Sequence, residues 1–117
     1  MTTALQAPEW LVRRVEIAAN HPAFDGHFPG HPLLPGVALV AEVIEAARAE
    51  PALADCIGAS PRIDVVKFLV PVLPGAQLTI RFRRLAAALE FVVDDGDHVA
   101  ASGRFSNAAG ASPSAAP

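Results

Sequence analysis

Histidines at positions 21, 27 and 31 stand in a stretch crowded with proline and glycine, which leads straight into an apolar segment over residues 37–49. Imidazole titrates near neutrality and can take or give a proton there. A helix beginning after this stretch would present backbone N–H groups with no internal partner, and its dipole would favour negative charge developing beside them. Histidines brought to such a place point to acid–base chemistry. Two carboxylates, Glu42 and Glu45, lie inside the apolar segment that follows. For His27 taken alone, the plain alternative is a loop histidine bonded to backbone.

The elements that must hold these residues follow from periodicity. Residues 10–17 alternate, with Leu11, Arg13, Val15 and Ile17 on one face and Val12, Arg14 and Glu16 on the other, which predicts a strand. Residues 20–35 are too rich in proline for a helix or an interior strand and predict an ordered loop. A helix is expected to begin at Pro35 or Gly36, because proline suits a first helical turn. With about 100° between successive residues, Val37, Leu39, Val40, Val43, Ile44 and Ala47 cover more than half of its circumference, so it is buried on most sides. Glu42, Glu45, Arg48 and Glu50 form the remaining polar edge, and Pro51 ends the element.

Beyond a short linker the pattern is β-rich. Residues 57–73 carry a run of β-branched and aromatic side chains, residues 77–85 alternate, and residues 89–93 and 98–105 flank Asp94-Asp-Gly-Asp97, a strong hairpin signal. Residues 1–9 read as a flexible start, 10–105 as the folded domain, and 106–117, made of small residues and proline, as a disordered tail. The expected class is α+β, with an antiparallel sheet around one central helix.

Bulk properties limit the function. At 117 residues the chain holds one core. It is 52% hydrophobic and 18% charged, and that apolar surplus suggests surface buried against a second subunit. A net charge of −3 gives no footprint for nucleic acid or an anionic membrane. The densest basic cluster, Arg81, Arg83 and Arg84, reads as a solvated strand face, with docking of an acidic carrier as the minority reading. The single cysteine, Cys56, excludes an internal disulfide and reads as a small buried group. Neither a signal peptide nor a membrane span is visible, so the expected location is cytoplasmic. No His, Cys and acid set has zinc-like spacing, and neither a metal nor a cofactor is expected. His31 reads as loop surface and His98 as an exposed strand start.

The stretch Gly26-His-Phe-Pro-Gly-His-Pro-Leu-Leu-Pro-Gly-Val37 resembles the signature of the β-hydroxyacyl-acyl-carrier-protein dehydratases, small hot-dog-fold enzymes of fatty-acid and polyene synthesis. His21-Pro-Ala-Phe24 and Ile63-Asp-Val-Val-Lys-Phe-Leu-Val-Pro-Val-Leu-Pro-Gly75 resemble that family's segments in the same order. The resemblance implies a hot-dog fold, the antiparallel sheet wrapped around its helix. His27 then matches the catalytic histidine that removes a proton from C2 of the acyl chain. Gly36 matches the glycine whose backbone N–H polarises the thioester carbonyl. Phe28, Pro35, Val37 and Ala41 are expected to contact the substrate.

In one place the sequence departs from the family. The helix Glu or Asp that helps protonate the departing 3-hydroxyl falls at Ala41, which has no proton to give. Glu42 is adjacent but about 100° round the helix, whereas Glu45 lies about 40° away and about 6 Å along the axis. Each is either a solvated polar edge or a shifted acid; water held by backbone is the third option.

Three functions are therefore in view. The first is a 3-hydroxyacyl-acyl-carrier-protein dehydratase, or reversible hydratase, with acyl carrier protein or another acyl thioester as its partner. The second is a catalytically impaired acyl-thioester-binding protein or heterodimer subunit, and the third a hot-dog thioesterase. The resemblance implies at least a homodimer, and a heterodimer in which a related subunit supplies the absent acid is also open.

Overall fold

The structure is a computed structural model that describes residues 10–24, 33–58, 61–86 and 88–107. Strand β1 (Leu11–Glu16) is followed by a single 3₁₀ turn (Pro22–Phe24), helix α1 (Gly36–Arg48), helix α2 (Pro51–Ile57) and strands β2 (Pro61–Phe68), β3 (Gln77–Leu85), β4 (Ala88–Asp95) and β5 (His98–Asn107). The strands make one sheet in the order β1-β3-β4-β5-β2. All its pairings are antiparallel.

Alternation decides which sheet face is covered. Leu78, Ile80 and Phe82 of β3 and Leu89, Phe91 and Val93 of β4 are buried, and they form one cluster with Leu39, Val40, Val43, Ala46 and Ala47 of α1. Phe91 and Phe105 stack within it, ring centroids 4.9 Å apart. Each large apolar side chain so buried contributes about 1.5–3 kcal/mol. The helix is therefore held on the sheet by packing, and the layout is the α+β one expected.

The β3–β4–β5 meander follows the predicted spans closely. Gly96, with φ of 65°, makes the turn between β4 and β5 as the Asp-Gly pair requires. In three places the chain departs from the expected elements. Pro51 does end α1, because Glu50 before it is extended (φ −102°, ψ 112°), but it also opens α2 as an N-terminal residue that needs no N–H. Leu53 and Ile57, one turn apart, anchor that second helix in the core. Strand β2 covers only Pro61–Phe68. Residues 69–76 leave the sheet, since Pro71 and Pro74 cannot supply ladder donors. Strand β5 runs past the expected boundary to Asn107. Ser106 there is buried and donates its hydroxyl to Asp64 at 3.1 Å. The flexible start at 1–9 and the rest of the expected tail, 108–117, lie outside the described residues.

Two bulges shape the sheet's edge. At Ala100 the β4–β5 register shifts, and the Ala100 carbonyl accepts from both Leu69 N–H (2.8 Å) and Val70 N–H (3.2 Å). The second shift, between Ile63 and Val65, sets Asp64 out of register with β5. Burial presses the Asp64 carboxyl upward, but the Ser106 hydroxyl and the Arg62 and Arg104 guanidiniums outweigh it and hold the group below the usual carboxylate range.

Candidate functional site at the start of helix α1

The helix start is stitched in place from the sheet. The segment after β2 is tied to Ala100, and farther along it the Val72 carbonyl accepts from Leu34 N–H at 2.8 Å. Pro35, at φ −58° and ψ 147°, turns the chain into α1, and its carbonyl accepts from Ala38 and Leu39 N–H at 2.9 and 3.0 Å. Gly36 and Val37 then open the helix with amides that have no intrahelical acceptor. Among the described residues, no capping side chain and no acid of the first turn competes for them. The positive end of the helix is thus available to an oxygen acquiring negative charge.

Beside these amides lies an apolar cavity of about 490 Å³, lined by Leu33, Pro35, Gly36, Leu39, Phe68 and Val72 among others. A Cβ on Gly36 would meet Phe68 Cζ at 2.7 Å, so glycine is what lets the Phe68 ring lie over the helix start. An apolar cleft with a few fixed donors at one end suits an acyl chain that ends in a carbonyl.

The expected site residues on α1 separate into two groups. Val37 (80% exposed), Ala41 and Glu45 share one uncovered stripe of the helix. Glu42 lies elsewhere: its Oε2 is 3.0 Å from Nε2 of half-buried His21, and His21 Nδ1 accepts Ala23 N–H at 3.0 Å. Glu42 is therefore not merely a solvated edge. Of the two acids, Glu45 is the one on Ala41's side. Of the expected site residues, His27 and Phe28 lie outside the described residues, as does His31. Reasoning from sequence missed the His21–Glu42 contact and the ring of Phe68 over Gly36, each of which joins residues far apart along the chain.

The basic cluster is committed inside the chain. Arg81 donates to Asp94 at 2.8 Å and Arg83 to Glu90 at 2.9 Å, both guanidiniums lie over the Trp10 ring, and Arg84 donates to the Ala52 carbonyl at 2.9 Å. Arg81 and Arg83 are thus paired with acids of the neighbouring strand, whereas Arg84 meets only a neutral carbonyl and keeps its charge. Burial pushes the Cys56 thiol up, Arg84 pulls it down and Asp55 raises it again, with a net rise, so the group is a protonated, poor nucleophile at neutral pH.

The ApeI-like family, described as ApeI dehydratase, matches residues 5–104. The chain belongs to the ApeI-like dehydratase family. An ApeI-like assignment agrees with the resemblance carried by residues 26–37, and it extends over both helices and nearly the whole sheet. Among curated relatives, the 3-hydroxyacyl-acyl-carrier-protein dehydratase FabZ of Geobacter metallireducens is 41% identical over 80 residues, 62% of this chain and 52% of that protein. The chain spans about half the length of several of the curated relatives it matches. Among solved structures, the dehydratase heterocomplex ApeI:P from Xenorhabdus doucetiae superposes with a TM-score of 0.68 at 29% identity, covering 87% of this chain and 89% of that one. The (R)-hydratase from A. caviae involved in PHA biosynthesis, at 16% identity and a TM-score of 0.59, covers 89% of this chain and 96% of that one and shares the fold alone. That fold is the hot-dog fold. No described helix is long and apolar enough to cross a membrane.

Proposed function

We propose that this ApeI-like chain dehydrates 3-hydroxyacyl thioesters, presented on acyl carrier protein, to trans-2-enoyl thioesters. The observation that carries the reading is Gly36, the first residue of α1, lining the apolar cavity with an N–H that no described residue accepts. The acyl chain lies in the cavity with its thioester oxygen against that amide. As His27 removes the C2 proton, the C–H electron pair moves toward the carbonyl, and the amide and helix dipole stabilise the developing enolate oxygen. The pair then returns to form the C2–C3 double bond, the C3–O bond breaks, and the hydroxyl leaves as water once it gains a proton.

The donor of that last proton is what Ala41 withholds. Glu45 shares Ala41's exposed stripe and is the candidate within the chain. The stripe is uncovered in the single chain, and Ile63, Phe68, Leu69 and Leu73 also leave apolar surface open, which supports burial against a second subunit. That the similar ApeI:P structure is a heterocomplex favours a related, non-identical subunit carrying the acid. The chain alone would then bind the thioester and turn it over poorly, which absorbs the impaired-subunit alternative.

The test is turnover of 3-hydroxyacyl and trans-2-enoyl carrier-protein thioesters by the purified chain, alone and with a related subunit. Dehydration that disappears with His27→Ala supports the reading. Thioester hydrolysis without dehydration would replace it with the thioesterase reading.

A further inference from the structure

We propose that His21 and Glu42 form a positioning clamp that holds the Pro22–Phe24 turn, which ends three residues before His27, against helix α1, a role that rests on the dehydratase reading above. Each ring nitrogen of His21 has one partner: Nδ1 accepts the Ala23 N–H at 3.0 Å, which leaves Nε2 to carry the proton and donate it to Glu42 Oε2 at 3.0 Å. The first bond closes the turn locally, together with Phe24 N–H to the His21 carbonyl at 3.0 Å. The second bond crosses to α1. The Phe24 ring meets the imidazole edge-on, centroids 6.1 Å apart, and packs against the core. Both His21 and Glu42 side chains are largely covered, at 23% and 29% exposure, so water competes weakly for the bond.

Chain connectivity turns this contact into a catalytic constraint. His27 follows Phe24 by three residues, which allows at most about 11 Å between their Cα atoms. Gly36 precedes Glu42 on the same helix, about 9 Å along its axis. The clamp therefore ties the turn that ends three residues before the base to the rod that carries the amide. A base must come within hydrogen-bond reach of its proton, and a displacement of about 1 Å can cost a factor of about 10². Glu42 serves here as an acceptor, so its charge and its proton are not what the reaction uses.

Steady-state kinetics of the full chain, with its partner subunit where turnover requires one, test this on His21→Ala, Glu42→Ala, Glu42→Gln and the double alanine variant. Each single alanine variant should lower kcat about 10- to 100-fold with KM within about twofold, and the double variant should fall no further than the worse single. Glu42→Gln keeps an acceptor oxygen and should retain most of kcat; being nearly isosteric, it decides the matter should an alanine variant fail to fold. Nitrogen-15 spectra of the imidazole should show Nε2 protonated and Nδ1 bare. Multiplying losses in the double variant, a Gln variant as slow as Ala, or a protonated Nδ1 overturns the clamp while leaving the dehydratase reading standing. Absence of turnover by the wild-type chain in either assembly sinks the dehydratase reading and the positioning role together, although the spectrum still reports the bond.

Discussion

The ring of Phe68 occupies the space that a side chain on residue 36 would need, its Cζ standing 2.7 Å from the ideal Cβ position. Phe68 is 50% exposed, so the ring can swing aside at modest cost. Alanine at the first helical position also gains up to about 1 kcal/mol of helix propensity. Gly36→Ala should therefore change stability by no more than about 1 kcal/mol, measured by chemical denaturation, while lowering turnover by displacing the ring at the carbonyl site. Adding Phe68→Leu should recover part of that turnover. A large loss of stability from Gly36→Ala would show the ring to be locked.

The two catalytic assignments separate by substitution. His27→Ala should reduce dehydration about 10²–10⁴-fold. Ala41→Glu should raise turnover of the chain assayed alone, because it restores a proton donor on the exposed stripe. Glu45→Gln should lower the turnover of the chain alone and leave a heteromeric assembly nearly unchanged; an equal loss in both would assign Glu45 as the acid whichever subunit is present.

Asp64 predicts a sign for acid stability. Its folded carboxyl titrates below the ordinary aspartate value of 3.8, so the contribution is fully present above that value and is lost as pH falls below it toward the folded-state pKa. Thermal melts at falling pH should therefore show the wild type losing ground relative to Asp64→Asn below pH 3.8. Parallel pH curves for the two proteins would remove Asp64 from the account.

Phe91 is buried and stacked on Phe105 beneath the helix. Phe91→Ala should cost about 3–5 kcal/mol, read from denaturant titration, because the rigid sheet around it cannot collapse into the void. A loss under about 1 kcal/mol would mean that the neighbouring side chains repack.

Several elements were legible because their cause is local. The alternation of residues 77–85 coincides with β3, and Asp95-Gly96 makes the predicted hairpin, since side-chain period and positive φ are properties of the residues themselves. The start of α1 at Gly36 follows from Pro35 in the same way. Helix α2 was hidden because a proline that ends one helix is equally suited to begin another, and only Leu53 and Ile57 meeting the core decides the second role. The pairing of Arg81 and Arg83 with Asp94 and Glu90 was likewise illegible, because it depends on the β3–β4 register.

At the site, the histidine motif, a glycine at the expected helix start and the lack of a carboxylate at Ala41 were legible in the residues alone. These are matters of residue type and spacing along one short stretch. That Glu42 belongs to His21, that Ala41 and Glu45 share an uncovered stripe, and that Phe68 lies over Gly36 came from packing. The reason is distance along the chain. His21 and Glu42 are 21 residues apart and meet because Phe24 packs on the core and the helix packs on the sheet. Phe68 reaches Gly36 because the bulge at Ala100 holds the segment after β2 against the helix start, and no period within either segment encodes that meeting.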